Sequence, residues 1–278
     1  MHERVQQVID IRRRRPDGVF ALEGLWAIRH AVDASIAIEV LIVCPTMVRG
    51  PATTALVAEL RTSGTEVVEV GERVLRRLVD RDGPDGLAAV ARMPRHDLAD
   101  ISVGTATRVV IADGLDLPGN LGTVIRCADG AGASAVVQTD RRVRANHPVV
   151  VKASMGTVFS MPVVDATRND THAWLRRHGF RVIGADPHAT VSYREADFDG
   201  PIAIVLGSER HGLDPFWRDG ADVLVSIPML GVADSLNVGH AAALLLYEAA
   251  LPRTRATQPG SSSRSSSAHS SRRWPADG

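Results

Sequence analysis

Lysine is almost missing from this chain: Lys152 stands alone, and every other basic residue is an arginine. A coding bias explains that global preference but not the clustering at Arg12 to Arg15, at Arg76 and Arg77, at Arg141, Arg142 and Arg144, and at Arg176 and Arg177. Because the guanidinium fork suits phosphate, Arg12, Arg13, Arg14 and Arg15 are candidate RNA contacts. Cysteine is scarce too. Cys44 and Cys127 lie in apolar contexts without metal-ligand spacing, which argues against a disulfide framework or a zinc site and leaves two reduced structural thiols and no metal. Long apolar runs are lacking: residues 241–246 fall far short of the roughly 20 that span a bilayer, and Met1-His2-Glu3-Arg4 has no apolar signal region. The expected protein is soluble and cytoplasmic, with no membrane partner. Net charge is lacking as well, 32 basic residues balancing 32 acidic ones. That argues against nonspecific coating of nucleic acid and still allows a local basic patch.

What is present is enough apolar residue, 45% of 278, for two domains with cores of their own. In residues 1–95, helical spacing covers 24–34 and 52–63, and strand patterns cover 40–43, 66–70 and 87–91. Strands alternating with helices predict a small α/β unit with a mostly parallel sheet. Residues 96–107 lose this periodicity and read as a linker. Between 108 and 252 the alternation is regular: strands at 109–112, 135–138, 162–164, 181–185, 202–206 and 223–227, and helices at 121–131, 148–155, 169–178 and 236–251. This second, larger α/β domain ends in a helix that is apolar on every side, which has to be buried in the core or against a partner chain. Residues 253–278 are rich in Ser and Arg and read as a disordered tail.

In open α/β sheets, ligands sit beyond the carboxyl ends of the strands. Three loops of the second domain occupy that place. The first, 113–122, is glycine-rich and leads into a helix carrying Arg126; neither G-x-G-x-x-G nor G-x-x-x-x-G-K-[ST] is present, which disfavours a dinucleotide or triphosphate site. An ordinary turn is the plain reading of Gly119 to Gly122. The second is Leu206-Gly207-Ser208-Glu209-Arg210-His211-Gly212, whose small residues let a backbone approach a ligand closely. The third, 227–238, closes on the last helix, where Asp234 or Ser235 would serve as a cap and Asn237 needs partners if buried.

Taken together and in order, Asn120-x-Gly122-x-x-x-Arg126, Leu206-Gly207-Ser208-Glu209-x-x-Gly212, and Ile227-Pro228-Met229 with Ser235-Leu236-Asn237-Val238 resemble the three signature motifs of the SpoU (TrmH) methyltransferases of the SPOUT superfamily. The resemblance covers residues 108 to about 251. Phe20-Ala21-Leu22-Glu23-Gly24 is similar to that family's substrate-binding domain. The resemblance implies a trefoil-knotted α/β methyltransferase domain, one of the few exceptions to unknotted chains, and a smaller L30e-like α/β domain that docks structured RNA. It implies S-adenosyl-L-methionine as cofactor, held near Leu206, Gly207, Ile227, Met229 and Leu236. It also implies a homodimer with each active site near the interface.

The implied reaction is methyl transfer to a ribose 2'-hydroxyl, with Arg126, Asn120, Glu209, Ser235 and Asn237 as catalytic-site residues. Arginine stays protonated under all ordinary conditions, so Arg126 is better suited to stabilise a developing alkoxide than to act as a general base. The chain departs from the family pattern at Gly239-His240, and His240 reads as a core or interface histidine. The two-domain layout resembles enzymes of large-subunit rRNA, including thiopeptide-resistance methyltransferases, and so favours 23S rRNA over tRNA. A noncatalytic RNA-binding protein with this fold, or a base or small-molecule methyltransferase, are the alternatives.

Overall fold

Two sheets organise the chain in the computed structural model, which describes residues 3–79 and 85–251; the expected tail at 253–278 lies outside them. The chain opens with α1 (Glu3–Arg14), a helix that the sequence reading treated only as a basic cluster. Val5, Val8 and Ile11 line its buried face, Glu3 sits in the first turn and Arg12, Arg13 and Arg14 in the last. That placement complements the helix dipole, so the arginine cluster has a structural cause as well as a candidate function.

There follow β1 (Val19–Glu23), α2 (Gly24–Asp33), β2 (Ile38–Val43), α3 (Pro51–Thr62), β3 (Glu66–Glu69), the short α4 (Glu72–Leu75) and β4 (Leu87–Arg92). Their sheet has the order β1-β4-β2-β3. The expectation of a mostly parallel sheet is corrected here. Only the β2–β3 pair, joined through α3, is parallel, whereas β4 inserts between β1 and β2 and runs antiparallel to both. Alternation correctly marks the one βαβ unit; the pairing of β4 with β1 is long-range and leaves no local trace.

The second unit comprises β5 (Arg108–Asp113), α5 (Pro118–Gly130), β6 (Ala135–Thr139), α6 (Pro148–Ala153), β7 (Val163–Asp165), α7 (Arg168–Arg177), β8 (Arg181–Ala185), β9 (Val191–Ser192), β10 (Ile202–Leu206), α8 (Pro215–Gly220), β11 (Val223–Ser226) and α9 (Val238–Ala250). Every neighbouring pair in the order β7-β6-β5-β10-β8-β11-β9 is parallel. The central strands are buried on both faces, as parallel sheets require. Val110, Ala112, Ile204 and Leu206 face a core with α5 and α9, while Val109, Ile111, Ala203 and Val205 face Trp174, Leu175 and Trp217.

Helix α9 packs on α5 through Gly239, where a Cβ would lie 2.6 Å from Thr123 Cγ2. Ala242, Leu245, Leu246 and Ala249 are buried, but Leu244 (41%), Tyr247 (49%) and Leu251 (63%) remain exposed. Core burial thus accounts for one face of this apolar helix and leaves the other open. Gly122 lies within α5 rather than in a turn, and its missing Cβ lets α6 approach: an added one would sit 2.7 Å from Ala153 Cβ and 2.8 Å from the Val150 carbonyl oxygen. Cys44 and Cys127 are free, and burial pushes the Cys127 thiol pKa up, which suits inert structural thiols. Among the described residues, no helix is long and apolar enough to cross a membrane.

One apolar core runs from the first sheet into the second, with Phe20 of β1 packed edge-on against Phe159 at 5.1 Å between ring centroids. Gly122→Ala is expected to overpack the α5–α6 contact and cost about 1–3 kcal/mol. Gly119→Ala, where nothing lies within 4 Å, is expected to leave stability unchanged. Thermal unfolding of both variants checks the contrast.

Candidate active site

Strands β5 and β10 are neighbours in the sheet, yet β6 and β7 continue from β5 on one side and β8, β11 and β9 from β10 on the other. The carboxyl ends of this central pair form the switch point where ligands are expected. The loop after β5 leads to α5, which starts at Pro118 with Leu117 as a cap residue that offers no side-chain bond. The cap comes from a different loop. Glu209, beyond β10, accepts the Asp116 amide at 2.9 Å on Oε2 and the Leu117 amide at 3.3 Å on Oε1. These are the amides of the two residues that lead into α5, and a carboxylate held beside a helix N-terminus also complements the dipole.

Glu209 Oε1 also accepts Asn120 Nδ2 at 2.7 Å. Asn120 is buried at the start of α5, and its Oδ1 accepts Asn237 Nδ2 at 3.0 Å. Asn237 Oδ1 in turn accepts the Gly239 amide at 2.9 Å, which makes Asn237 the cap of α9. Capping by Asp234 or Ser235 is therefore corrected. Those two bond to each other instead, Ser235 Oγ donating to Asp234 Oδ1 at 3.2 Å, and both are exposed.

The turn 207–212 is tight for a local reason. A Cβ on Gly207 would lie 2.1 Å from the Gly212 carbonyl oxygen, Gly212 has φ +67°, and the Gly212 amide donates to the Ser208 carbonyl at 2.9 Å. Any side chain at position 207 would force this turn apart. The three loops enclose a cleft of about 590 Å³ whose walls include Leu206, Gly207, Ile227 and Leu236, a size suited to a nucleoside-sized ligand.

Asn120, Glu209, Ser235 and Asn237 all line this cleft; Met229 and Arg126 do not. Arg126 lies further along α5, exposed and without an ion pair among the described residues. Arg12 is set apart from its neighbours, pairing with Glu23 at 3.1 Å with both side chains under 20% exposed, whereas Arg13, Arg14 and Arg15 are exposed. His240 is exposed at the start of α9, so a core position is corrected and an interface position stays open. The sequence reading missed Asp186, which is 2% exposed at the cleft, binds Arg218 at 2.7 Å and accepts the His188 amide at 2.9 Å. The signal was available, since Asp186 directly follows β8, a parallel strand ending at the same edge of the sheet.

Comparison with known proteins agrees with this geometry. Residues 107–247 match the SpoU rRNA Methylase family and residues 4–89 the MRM3-like substrate binding domain. A TrmH-family protein of Staphylococcus haemolyticus is 41% identical over 141 residues, half of this chain and 57% of its own length. The 23S rRNA (guanosine(2553)-2'-O)-methyltransferase RlmP of Bacillus subtilis is 30% identical over 85% of this chain and 90% of its own. The crystal structure of the SpoU methyltransferase AviRb from Streptomyces viridochromogenes, in complex with AdoMet, superposes with a TM-score of 0.81 at 30% identity, covering 90% of this chain and 97% of that one. With its three loops tied together around one cleft and an amino-terminal sheet of the substrate-binding type, the chain belongs to the SpoU rRNA methylase family.

Proposed function

We propose that this protein transfers a methyl group from S-adenosylmethionine to a ribose 2'-hydroxyl in 23S rRNA, in the cytoplasm. The observation that carries the reading is the hydrogen-bonded series Glu209–Asn120–Asn237, which fastens the three loops into one rim above the cleft. The cleft fits the cofactor: its volume, the apolar Leu206, Ile227 and Leu236, and the bare backbone at Gly207 suit a nucleoside with a short polar chain. Once bound there, S-adenosylmethionine would supply the methyl group on a sulfonium. In family terms the second unit is a trefoil-knotted domain and the first an L30e-like RNA dock.

The hydroxyl is a poor nucleophile, so the protein has to align it and stabilise the charge it develops. Asn120 is held at both ends and serves as a fixed orienting group. Glu209 has both oxygens engaged by N–H donors, so it works as a fastener rather than as a proton acceptor. Ser235, exposed at the rim with its hydroxyl on Asp234, lies where it can meet the acceptor ribose.

Arg126 is the alkoxide stabiliser, and its distance from its own cleft argues that it serves a second copy. The apolar face of α9 that core packing leaves open carries Leu244 and Tyr247, with Leu251 just beyond it, and pairing through these residues gives the homodimer in which Arg126 of the neighbouring α5 reaches the partner's cleft. RNA docks on the exposed Arg13, Arg14 and Arg15 at the end of α1.

The reading is tested by transfer of labelled methyl from S-adenosylmethionine to total rRNA and total tRNA, with nucleoside analysis. Label in a 2'-O-methylnucleoside of the rRNA pool supports it, and label in tRNA alone overturns the choice of substrate. Arg126→Ala is expected to abolish transfer with cofactor affinity unchanged by calorimetry. Mixing Arg126→Ala with a Leu236→Arg chain, whose longer side chain fills the cleft, is expected to restore roughly a quarter of wild-type activity, because half of the chains pair as mixed dimers with one intact site; no recovery would place Arg126 in its own cleft. Serine at positions 13, 14 and 15 is expected to lower the slope of log binding constant against log salt by about two. Arg12→Ser instead is expected to lower the melting temperature by removing the half-buried ion pair with Glu23.

A further inference from the structure

The segment 140–147 after β6 carries Arg141, Arg142 and Arg144, one of the arginine clusters of the sequence. Its side chains are committed elsewhere, in two directions. Toward the first unit, Arg141 Nη1 and Nη2 donate to Asp17 at 3.0 and 3.1 Å, and Arg141 also pairs with Asp165. Arg144 donates to the carbonyls of Arg14 and Arg15. Asn146, itself 5% exposed, divides its Nδ2 between the carbonyls of Pro16 and Val19, both at 2.8 Å. This one short stretch thus holds the connection from α1 to β1 at five residues.

Toward the cleft, Arg142 Nη1 binds Asp116 Oδ1 at 3.1 Å and Nη2 binds Asp140 Oδ2 at 3.0 Å. The amide of that same Asp116 is one of the donors to Glu209. Arg168 closes the arrangement from behind, pairing with the buried Asp113 at 2.7 Å and with Asp140 at 3.5 Å. Between the two sets of contacts, Val143 and Ala145 are buried in the core shared by both units, so the segment cannot yield on one side without straining the other.

We propose that segment 140–147 is a rigid coupler that holds the substrate-binding unit at a fixed distance and angle from the methyl-transfer loops, and thereby selects which nucleotide enters the cleft. Arg141 and Asn146 are its specificity-determining residues. Arg142 is a positioning residue that acts on Glu209 and Asn120 through Asp116. The inference rests on the reading of the cleft as an RNA methyl-transfer site. A ribose displaced by about 1 Å loses its alignment with the methyl donor, so a small change at this junction reads out as a change of target or of turnover.

The test uses the full chain, the rRNA pool of the preceding assay, and nucleotide-level mapping of the methyl group. Asn146→Ala and, on the more exposed side of the same junction, Asp17→Asn are expected to raise the KM for RNA about tenfold and to spread methylation to neighbouring nucleotides, at unchanged S-adenosylmethionine affinity. Arg142→Ala is expected to lower kcat about tenfold with the KM for RNA unchanged, and Arg142→Lys to recover part of it. Folding is controlled by the melting temperature, and Asp17→Asn decides the junction should Asn146→Ala fail to fold. Variants that melt lower yet methylate the same nucleotide with wild-type kcat and KM overturn the coupler and leave the methyltransferase reading standing. A wild-type chain that labels no RNA removes that reading, and the coupler with it.

Discussion

The carboxylate of Glu209 is the constraint on which the rest of the site depends. It sits on a turn that only glycine at 207 can form, and it closes on two amides and one side-chain amide at the start of α5. Without it, the amides of Asp116 and Leu117, which lead into α5, would lose their partner. Because α5 is also the helix on which α6 and α9 close through Gly122 and Gly239, its placement sets the walls of the cleft and the face offered to a second copy. A single ionised group thus joins secondary-structure capping, core packing and site geometry.

How the arginines are used explains the balanced net charge. Arg141, Arg142 and Arg168 face aspartates, Arg12 faces Glu23, and Arg218 faces Asp186. The exposed pairs, those of Arg141 and Arg142, contribute little to stability individually; their planar forks matter here because they fix loops in register. Arg13, Arg14, Arg15 and Arg126 are exposed, and so, among the described residues, are Arg49, Arg73, Arg77, Arg177, Arg210 and Lys152, which lie scattered over both units.

Much of this was legible in the sequence, and the omissions follow a pattern. Parallel strands β5, β6, β8 and β10 are short apolar runs bounded by turns, and α9 carries an unbroken apolar run at 241–247, so local periodicity located them to within a few residues. The cleft was legible through its motif spacing, which brought Asn120, Glu209 and Asn237 forward together. What periodicity could not carry was long-range pairing: the antiparallel insertion of β4, the ion pair of Arg12 with Glu23, and the reach of Glu209 to the amides of a distant loop. Helix α1 was hidden by its own charge, since four consecutive arginines drew attention from Val5, Val8 and Ile11. Asp186 escaped because a lone acidic residue after a strand has no distinguishing neighbours.

The amide series at the rim also has a direction. The Gly239 amide can only donate, which forces Asn237 to turn its oxygen toward α9 and its nitrogen toward Asn120; Asn120 is then obliged to present oxygen to Asn237 and nitrogen to Glu209. With a pure donor at one end and a pure acceptor at the other, neither amide can flip without placing like atoms face to face. Aspartate at either position would keep size and polarity and still break the sense of the series, by opposing acceptor to acceptor. The rim therefore has one admissible arrangement of protons, defined before any substrate arrives.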